Sequence, residues 1–198
     1  MFEELVRANR SYRRFDAAHV IDEKTLRGLV NLVRFIPSAA NRQPLKYYIS
    51  NTAETNEKIF PCLAWAGYLK DWDGPALDER PTAYILVLAD ERISHEVHCD
   101  HGIAAQTIML GAAEQELGGC IIASIKRDRL MQALKLPNYF RLLLVLALGK
   151  PAEQVVIDPL GPDGSIQYWR DETGVHHVPK RPLNELIVPH GNGNLTAG

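Results

Sequence analysis

Several features that would assign a protein to a familiar class are absent from this sequence of 198 residues. No run of about 18 uninterrupted apolar residues occurs, so we expect no membrane-spanning segment. The N-terminal stretch carries acidic residues where a signal peptide would carry basic ones. The three cysteines, Cys62, Cys99 and Cys120, cannot all pair and lie far apart, which favours reduced thiols in a cytoplasmic protein.

An excess of positive charge is also absent. Lys and Arg total 22 against 24 Asp and Glu, which leaves a net charge of -2 at pH 7. General binding to nucleic acid requires a basic surface, so we expect none. Hydrophobic residues make up 46% and charged residues 23% of the chain, as in an ordinary soluble protein. We therefore expect one domain over residues 1–188, followed by a flexible, Gly-rich tail over 189–198.

The common catalytic signatures are missing as well. No glycine-rich loop follows a predicted strand, which excludes a P-loop and a Rossmann fingerprint, and neither G-x-S-x-G nor H-E-x-x-H occurs. His95, His98 and His101 recur every third residue, but polar contacts at a helix start explain them better than a zinc site. His176 and His177 are adjacent in a predicted hairpin, where their side chains would point to opposite faces and would not share a metal.

Hydrophobic periodicity predicts a mixture of helices and strands along the chain. Helices are predicted over residues 2–8, 23–36, 54–60, 98–117 and 127–136, strands over 46–50, 83–89 and 141–149, and a hairpin over 165–178. The helix over 98–117 is apolar nearly all round and rich in Gly and Ala, so we expect it to be buried and closely packed. This order of elements indicates an α+β or mixed α/β domain.

Cationic residues cluster near both ends of the chain. Arg10, Arg13 and Arg14 fall within a stretch of seven residues, and Lys180 and Arg181 form a second group. Chain termini often lie close together in a compact domain, so the two groups could converge on one phosphate, which guanidinium groups bind with bidentate geometry. Two separate solvated patches are the alternative that spacing alone leaves open.

Two further segments have both a structural and a ligand-binding interpretation. The loop PSAANRQP, residues 37–44, offers hydrogen-bonding groups from Ser38, Asn41 and Gln43 between two prolines, which suits either a planar ligand or a plain connection after a helix. The pair Gly118-Gly119 follows a predicted helix, so by itself it is interpreted as that helix's C-terminal cap. Neither interpretation is decided by the segment alone.

Taken together, these segments resemble motifs of the FMN-dependent nitroreductase family. RSYRRF, residues 10–15, is similar to the family's N-terminal basic motif, although Asn9 stands where the family has another basic residue. Residues 37–44 match the family's P-S-x-x-N-x-Q-P loop at every fixed position. Residues 118–124 look like the segment that passes the central flavin ring, and KRPL, residues 180–183, resembles the C-terminal basic pair before Pro-Leu. The likeness extends over roughly residues 2–188, with the motifs in the family's order.

The resemblance implies an α+β fold of three layers, with a central mixed β-sheet surrounded by helices. It also implies a homodimer that holds two FMN molecules at its interface. The small-residue helix over 98–117 would then pack within or across the dimer core. The remaining partner would be a small-molecule electron acceptor, with no nucleic acid and no membrane involved.

The resemblance also assigns the residues of a cofactor site. Arg10, Ser11 and Arg13 would bind the FMN phosphate and the adjoining polar edge with help from Lys180 and Arg181, whereas Arg14 would face solvent. The partner subunit would supply Pro37, Ser38, Ala39, Asn41 and Gln43 to the ring and ribityl chain. Ile122, Ala123 and Ser124 would pass the ring, with a backbone N–H of Ala123 or Ser124 pointing at N5. No metal and no catalytic side chain is implied, because the flavin carries the chemistry.

The function implied by the resemblance is that of an FMN-dependent NAD(P)H oxidoreductase. NADH or NADPH would reduce FMN and leave, and a nitro compound, a quinone or a similar electron-poor acceptor would take its place. The alternatives are a specialised relative that performs reductive dehalogenation or flavin fragmentation, a non-catalytic FMN-binding protein, and a structural dimer whose basic groups are simply solvated. The sequence does not identify the physiological acceptor.

Replacing Arg13 tests the predicted phosphate site. Arg13→Ala is expected to lower the FMN content of the purified protein, because phosphate charge would be left unpaired in a partly buried site. The loss of one charge-assisted hydrogen bond should weaken FMN binding by about 1.5–3 kcal/mol. The measurement is flavin absorbance per protein, and an unchanged flavin content would remove Arg13 from the site.

Overall fold

The structure, a computed structural model, describes residues 1–188. The chain divides into two compact units, Met1–Glu153 and Gln154–Gly198. The single domain expected over residues 1–188 therefore stays a prediction. The flexible tail predicted over 189–198 lies outside the described residues.

Within residues 1–188 the helices and strands alternate much as the periodicity predicts. The α-helices are α1 (Phe2–Ala8), α2 (Glu23–Leu32), α3 (Ala53–Ile59), α4 (Asp100–Glu114), α5 (Arg127–Ala133) and α6 (Leu183–Leu186). The strands are β1 (Phe15–Asp16), β2 (Leu45–Ser50), β3 (Ala83–Asp90), β4 (Gly118–Ile122), β5 (Phe140–Pro151), β6 (Val155–Pro159), β7 (Trp169–Arg170) and β8 (His176–Lys180). Short 3-10 turns cover Val33–Phe35, Ala39–Asn41, Phe60–Cys62 and Leu77–Glu79.

Helix boundaries follow local backbone chemistry. α2 begins where the Asp22 carboxylate accepts a hydrogen bond from the Thr25 N–H at 2.7 Å, an ordinary N-cap. It tightens into a 3-10 turn after Leu32, so the α-helix predicted to continue to residue 36 is too long at its end. Residues flanking α4 leave helical geometry, with φ of 42° at His98 and 58° at Glu116, which shortens the predicted helix at both ends.

The first unit is organised around a five-stranded antiparallel sheet. β5 pairs with β1, β3 and β4, and β3 pairs with β2, all in antiparallel register. The parallel contribution is an isolated bridge between Ser11 and Gly119. All eight residues of β3 are buried, as the dense apolar run predicts. The α+β fold is confirmed.

Helices cover both faces of this sheet, which explains why its central strands are apolar without alternation. Successive side chains of a strand point to opposite faces, so each face builds its own core. On one face Ile85 and Leu146 pack with residues of α2 and α4, including Leu29 and Ile108. On the other face the core contains Leu86, Val145, Ile59 of α3 and Leu130 of α5. The result is the expected arrangement of helix, sheet and helix in three layers.

The Gly118-Gly119 pair is part of a strand, so its interpretation as a helix cap is wrong. A Cβ on Gly119 would lie 2.2 Å from the backbone oxygen of Ala147 and within 3.0 Å of Met109. β4 therefore approaches β5 and α4 more closely than any residue with a side chain allows. This close approach also leaves the Gly119 carbonyl open to pairing with the segment around Ser11.

α4 is buried on one side only within a single chain. Ala104, Ala105, Ile108 and others face the core, whereas Gly102, Ile103 and Gln106 are exposed. The expectation of burial all round is therefore wrong for the single chain. The dimer prediction requires an exposed strip on this helix, and the dimer stays a prediction.

The second unit contains a three-stranded sheet of order β6-β8-β7. The predicted hairpin is confirmed by the antiparallel pairing of β7 with β8, whereas β6, parallel to β8, was not predicted. His177 stacks on Trp169 with ring centroids 4.1 Å apart and contacts Asp158 at 2.7 Å and Asp171 at 3.4 Å. The hydrogen bond to Asp158, with the second to Asp171, raises the pKa of His177.

His176, the neighbour of His177, is fully buried, so the two rings have different surroundings. Across residues 1–188, no group of three or more His, Cys, Asp or Glu side chains is arranged to hold a metal ion. The same residues include no helix that is long and apolar enough to cross a bilayer.

A methyl group at Gly119 tests the close approach of β4 to β5. Gly119→Ala is expected to destabilise the fold by about 1–3 kcal/mol or more, because the rigid Ala147 carbonyl cannot yield as a flexible side chain would. Urea unfolding gives the free energy of unfolding. The matched control is Gly28→Ala in α2, where an added Cβ meets nothing within 4 Å, and which we expect to be neutral or stabilising. Equal effects of the two substitutions would contradict the account.

Candidate functional site

The basic segment near the N-terminus lies against the start of β4. Ser11 forms a parallel bridge with Gly119, and the Tyr12 N–H donates to the Gly119 oxygen at 2.9 Å. Phe15 is fully buried and its ring lies where a Cβ on Gly149 would be only 2.7 Å away. The aromatic positions of the motif thus anchor the segment, and the residues between them are held next to β4.

Arg10 and Arg13 lie on this anchored segment in different environments. Arg10 Nη2 donates to the Val6 oxygen at 2.9 Å, whereas its buried Nε has no hydrogen-bond partner among residues 1–188. A buried, unsatisfied donor costs about 1–3 kcal/mol, so an external acceptor at this position would be favourable. Arg13 is 9% exposed and its Nη1 donates to the Ser11 oxygen at 3.2 Å.

Glu153 holds the backbone of the same segment from the end of the first unit. Its Oε1 accepts from the N–H groups of both Arg13 and Arg14. The Arg14 side chain is 29% exposed and pairs with Glu79 at 3.3 Å, so it faces solvent only in part. Burial raises the pKa of the neighbouring Cys120 thiol, which keeps it neutral and unreactive.

The backbone of the loop over 37–44 is strained and is held by hydrogen bonds. Ala40, Asn41 and Gln43 have φ between 51° and 54°, a region that non-glycine residues seldom occupy. Hydrogen bonds hold this shape, since Asn41 N–H donates to the Ser38 oxygen at 2.8 Å and Gln43 N–H donates to Ser38 Oγ at 2.9 Å. Such strain persists only where surrounding contacts hold it, and the ligand-binding interpretation of the loop stays a prediction.

Asp100, which the sequence analysis did not select, ties this loop to the first residue of α4. Its carboxylate accepts from Ser38 Oγ at 2.6 Å and from the Ala39 N–H at 3.0 Å, and it is 4% exposed. The Ser38 hydroxyl therefore acts inside the chain, as a donor to Asp100 and an acceptor from Gln43. Burial, with the nearby Asp100 charge, raises the pKa of Tyr47 to about 12, so this phenol stays protonated.

A cavity of about 260 Å³ borders the loop and the Asp100 carboxylate. Its walls combine apolar side chains such as Val33 with the cations Arg34 and Lys46. Pro37, Ser38 and Gln43 of the loop line this cavity, whereas Ala40 and Asn41 in the turn are exposed to solvent.

The segment predicted to pass a flavin ring continues from the end of β4. Ile122 is buried, whereas Ala123 and Ser124 are exposed. The Ala64 N–H donates to the Ser124 oxygen at 3.0 Å, and Leu63 forms an antiparallel bridge with Ile125. From Gly119 to Ala123 the extended chain covers on the order of 13 Å, so one strand joins the basic segment to the ring segment.

Arg127 was also missed by the sequence analysis, because its spacing matches no motif. Its guanidinium group reaches back from α5 and donates to the Ala123 oxygen at 3.0 Å. It also contacts the oxygens of Leu142 at 3.1 Å and Leu143 at 3.3 Å. The exposed segment after β4 is therefore fixed to β5 through this one side chain.

The predicted site residues thus form separate groups in one chain. Ser11 is joined to Gly119, just after the last turn of α4, whereas Ser38 is bonded to Asp100 in the first turn of the same helix. A helix of 15 residues is about 22 Å long, so these two groups lie towards its opposite ends.

Lys180 and Arg181 belong to the second unit, where Lys180 ends β8. Arg181 Nη1 donates to Glu185 at 2.8 Å. The convergence of these cations with Arg10 and Arg13 stays a prediction.

Solved structures of known proteins share this fold. A nitroreductase family protein from Clostridium difficile 630 aligns with a TM-score of 0.67 and 18% identity, covering 96% of this chain and 99% of that one. A nitroreductase family protein from Streptococcus pneumoniae TIGR4 aligns with a TM-score of 0.67 and 16% identity, covering 82% of this chain and 96% of that one. An FMN-dependent nitroreductase from Clostridium difficile R20291 aligns with a TM-score of 0.63 and 19% identity, covering 76% of this chain and 87% of that one. At these identities the likeness establishes the fold.

Sequence comparison identifies the family. A Streptomyces coelicolor protein, provisionally named NADH dehydrogenase/NAD(P)H nitroreductase, is 33% identical over 81 residues, which is 41% of this chain and 36% of that protein's length. The family model described as "Nitroreductase family" matches residues 6–150, which include the basic segment, the loop and β4. The chain belongs to the nitroreductase family, a family of oxidoreductases.

Removing the Asp100 charge tests the anchoring of the loop. Asp100→Asn replaces one acceptor oxygen with a donor, so either Ser38 Oγ or the Ala39 N–H loses its partner. We expect amide hydrogen exchange at Ala39 and Gln43 to accelerate by about tenfold, the equivalent of one lost buried hydrogen bond. The matched control is Asp128→Asn on exposed α5, which should leave these amides unchanged. Unaltered exchange in Asp100→Asn would show that the loop holds its shape without the carboxylate.

Proposed function

We propose that the protein is an FMN-dependent NAD(P)H oxidoreductase that reduces nitro compounds, quinones or similar electron-poor acceptors. Membership of the nitroreductase family supports the reaction class, and one relative of the same fold is named as FMN-dependent. The observation that carries the proposal is the arrangement along β4. Arg10, whose buried Nε has no hydrogen-bond partner among residues 1–188, belongs to the segment that pairs with the start of this strand. The exposed residues Ala123 and Ser124 follow the end of the strand, so both segments would border one elongated ligand such as FMN.

The chemistry of the donors at the start of β4 fits a phosphate. Arg10 forms no ion pair among residues 1–188, and its buried Nε lacks an acceptor that a phosphate oxygen would supply. Ser11 adds a hydroxyl beside it, and Arg13 adds a second, largely buried guanidinium group. Charge-assisted bonds to phosphate are the strong class of hydrogen bond, so these residues would hold the phosphomonoester of FMN. Lys180 and Arg181 of the second unit would complete the charge balance.

The backbone after β4 would bind the flavin ring. Ala123 and Ser124 are exposed and held in place by Ala64 and Arg127, so their main-chain groups can contact a flat ligand without rearrangement. Bound FMN would supply the hydride chemistry, accepting electrons from NAD(P)H and passing them to the acceptor. The chain would position the ring and restrict water, which agrees with the absence of a nucleophile among the motifs.

A second copy of the chain would supply the loop over 37–44. Within one chain the loop lies at the start of α4 and the basic segment beyond its end, so one copy cannot easily bring both to one small ligand. The exposed strip of Gly102, Ile103 and Gln106 offers a surface for the partner. Pro37, Ala39 and Asn41 would then face the ring bound by the other subunit, and Gln43 would lie beside it. Ser38 would act through its bonds with Asp100 and Gln43.

Anaerobic spectroscopy of the purified protein tests the proposal. We expect a yellow protein whose flavin absorbance bleaches on addition of NADH or NADPH and returns when a nitroarene or a quinone is added. A colourless protein that does not bind added FMN would exclude the proposal and leave a structural dimer. Bleaching without recovery on any acceptor would indicate a binding protein, and loss of intact flavin on reoxidation would indicate flavin fragmentation.

A further inference from the structure

The Arg127 side chain controls the orientation of one peptide group at the end of β4. It donates to the Ala123 oxygen at 3.0 Å while the same guanidinium group contacts the Leu142 and Leu143 oxygens on β5. A guanidinium group is planar, with its donors in a fixed array. The contacts to β5 therefore fix the position of the guanidinium group, and the Ala123 carbonyl is held so that its oxygen points towards that group.

The orientation of this carbonyl also determines where the next N–H group points. The described residues contain no cis peptide bond, and in a planar trans peptide the C=O and the following N–H point in opposite directions. With the Ala123 oxygen facing Arg127, the Ser124 N–H faces away from it. The Ser124 oxygen is bonded to the Ala64 N–H at 3.0 Å, so the peptide groups on both sides of Ser124 are fixed.

The charge on Arg127 strengthens this N–H as a donor. A carbonyl that accepts a charged hydrogen bond polarises its whole peptide group, and hydrogen bonds in such a chain reinforce one another. The stability of α5 does not explain the arginine, because it is the first residue of the helix, where a cation opposes the helix dipole.

We propose that Arg127 is a positioning residue that aims and polarises the Ser124 N–H towards N5 of bound FMN. This inference rests on the proposed function. It also assigns the N5 donor to Ser124, where the family resemblance left Ala123 and Ser124 as alternatives.

The analogue 5-deaza-FMN separates this role from general support of the fold. It carries a C–H group in place of N5 and cannot accept the hydrogen bond, while its phosphate and ring shape are retained. Apoprotein is titrated with FMN and with 5-deaza-FMN, and the dissociation constants are measured by fluorescence. We expect Arg127→Gln to weaken FMN binding by about three- to tenfold, as for the loss of one hydrogen bond. The dissociation constant of 5-deaza-FMN should change by less than about twofold, because 5-deaza-FMN does not accept this hydrogen bond even in the wild-type protein.

Two further variants separate charge from geometry. Arg129→Gln removes the same charge from the exposed face of the same helix and should leave both dissociation constants unchanged. Arg127→Lys keeps the charge, but a single ammonium group cannot bridge the three carbonyls, so it should lose affinity for FMN and not for 5-deaza-FMN. It also serves as the test if Arg127→Gln does not fold.

Equal losses for the two flavins, or no loss for FMN, would overturn the role of Arg127 and leave the proposed function standing. Failure of the wild-type protein to bind FMN at all would overturn both. The two results are therefore distinguishable in one set of titrations.

Discussion

The docking of the Ser11–Tyr12 backbone onto Gly119 is the contact on which the candidate site depends. It is possible because β4 begins with two glycines, and a side chain on Gly119 would collide with the Ala147 carbonyl of β5. The same close approach brings the N-terminal basic segment onto the central sheet. One strand consequently has the N-terminal basic segment near its first residues and an exposed backbone segment after its last. Without this packing, the arginines of the N-terminus would be a charged surface with no fixed relation to the rest of the chain.

The cations of this weakly acidic protein fall into two functional groups. Arg7, Arg27 and Lys58 pair with carboxylates four residues earlier on exposed helix surfaces, where such pairs contribute little to stability. The buried Nε of Arg10 has no hydrogen-bond partner among residues 1–188, and Arg127 donates hydrogen bonds to main-chain carbonyls. Charge count does not separate these groups, because the difference lies in what surrounds each guanidinium. Arg10 and Arg127, which form no ion pair with a carboxylate among residues 1–188, belong to the segments next to the two ends of β4.

The loop over 37–44 shows how a strained backbone is maintained by a remote side chain. Three of its residues have positive φ, each at a cost on the order of 1–3 kcal/mol, and the conformation persists because other contacts hold it. Asp100 supplies those contacts from a position 62 residues beyond Ser38, at the start of the helix that also offers the exposed strip for a partner. The contact that holds the loop and the proposed dimer surface would therefore lie on one helix, which would couple the proposed cofactor site to assembly.

Most of the helices and strands, and the family motifs, could be predicted from local sequence patterns. Apolar runs predicted β2, β3 and β5, helical periodicity predicted a helix that starts at residue 23, as α2 does, and the order of segments indicated the family that the comparison confirms. These signals are local, because a strand pattern or a cap is written within a few neighbouring residues. Three features could be found only in the folded chain: Gly118-Gly119 begins a strand, Arg14 pairs with Glu79, and Asp100 and Arg127 hold the candidate site segments. These features arise from contacts between residues that are far apart in the chain. Packing and hydrogen-bond geometry determine such contacts, and the periodicity of the sequence does not indicate them.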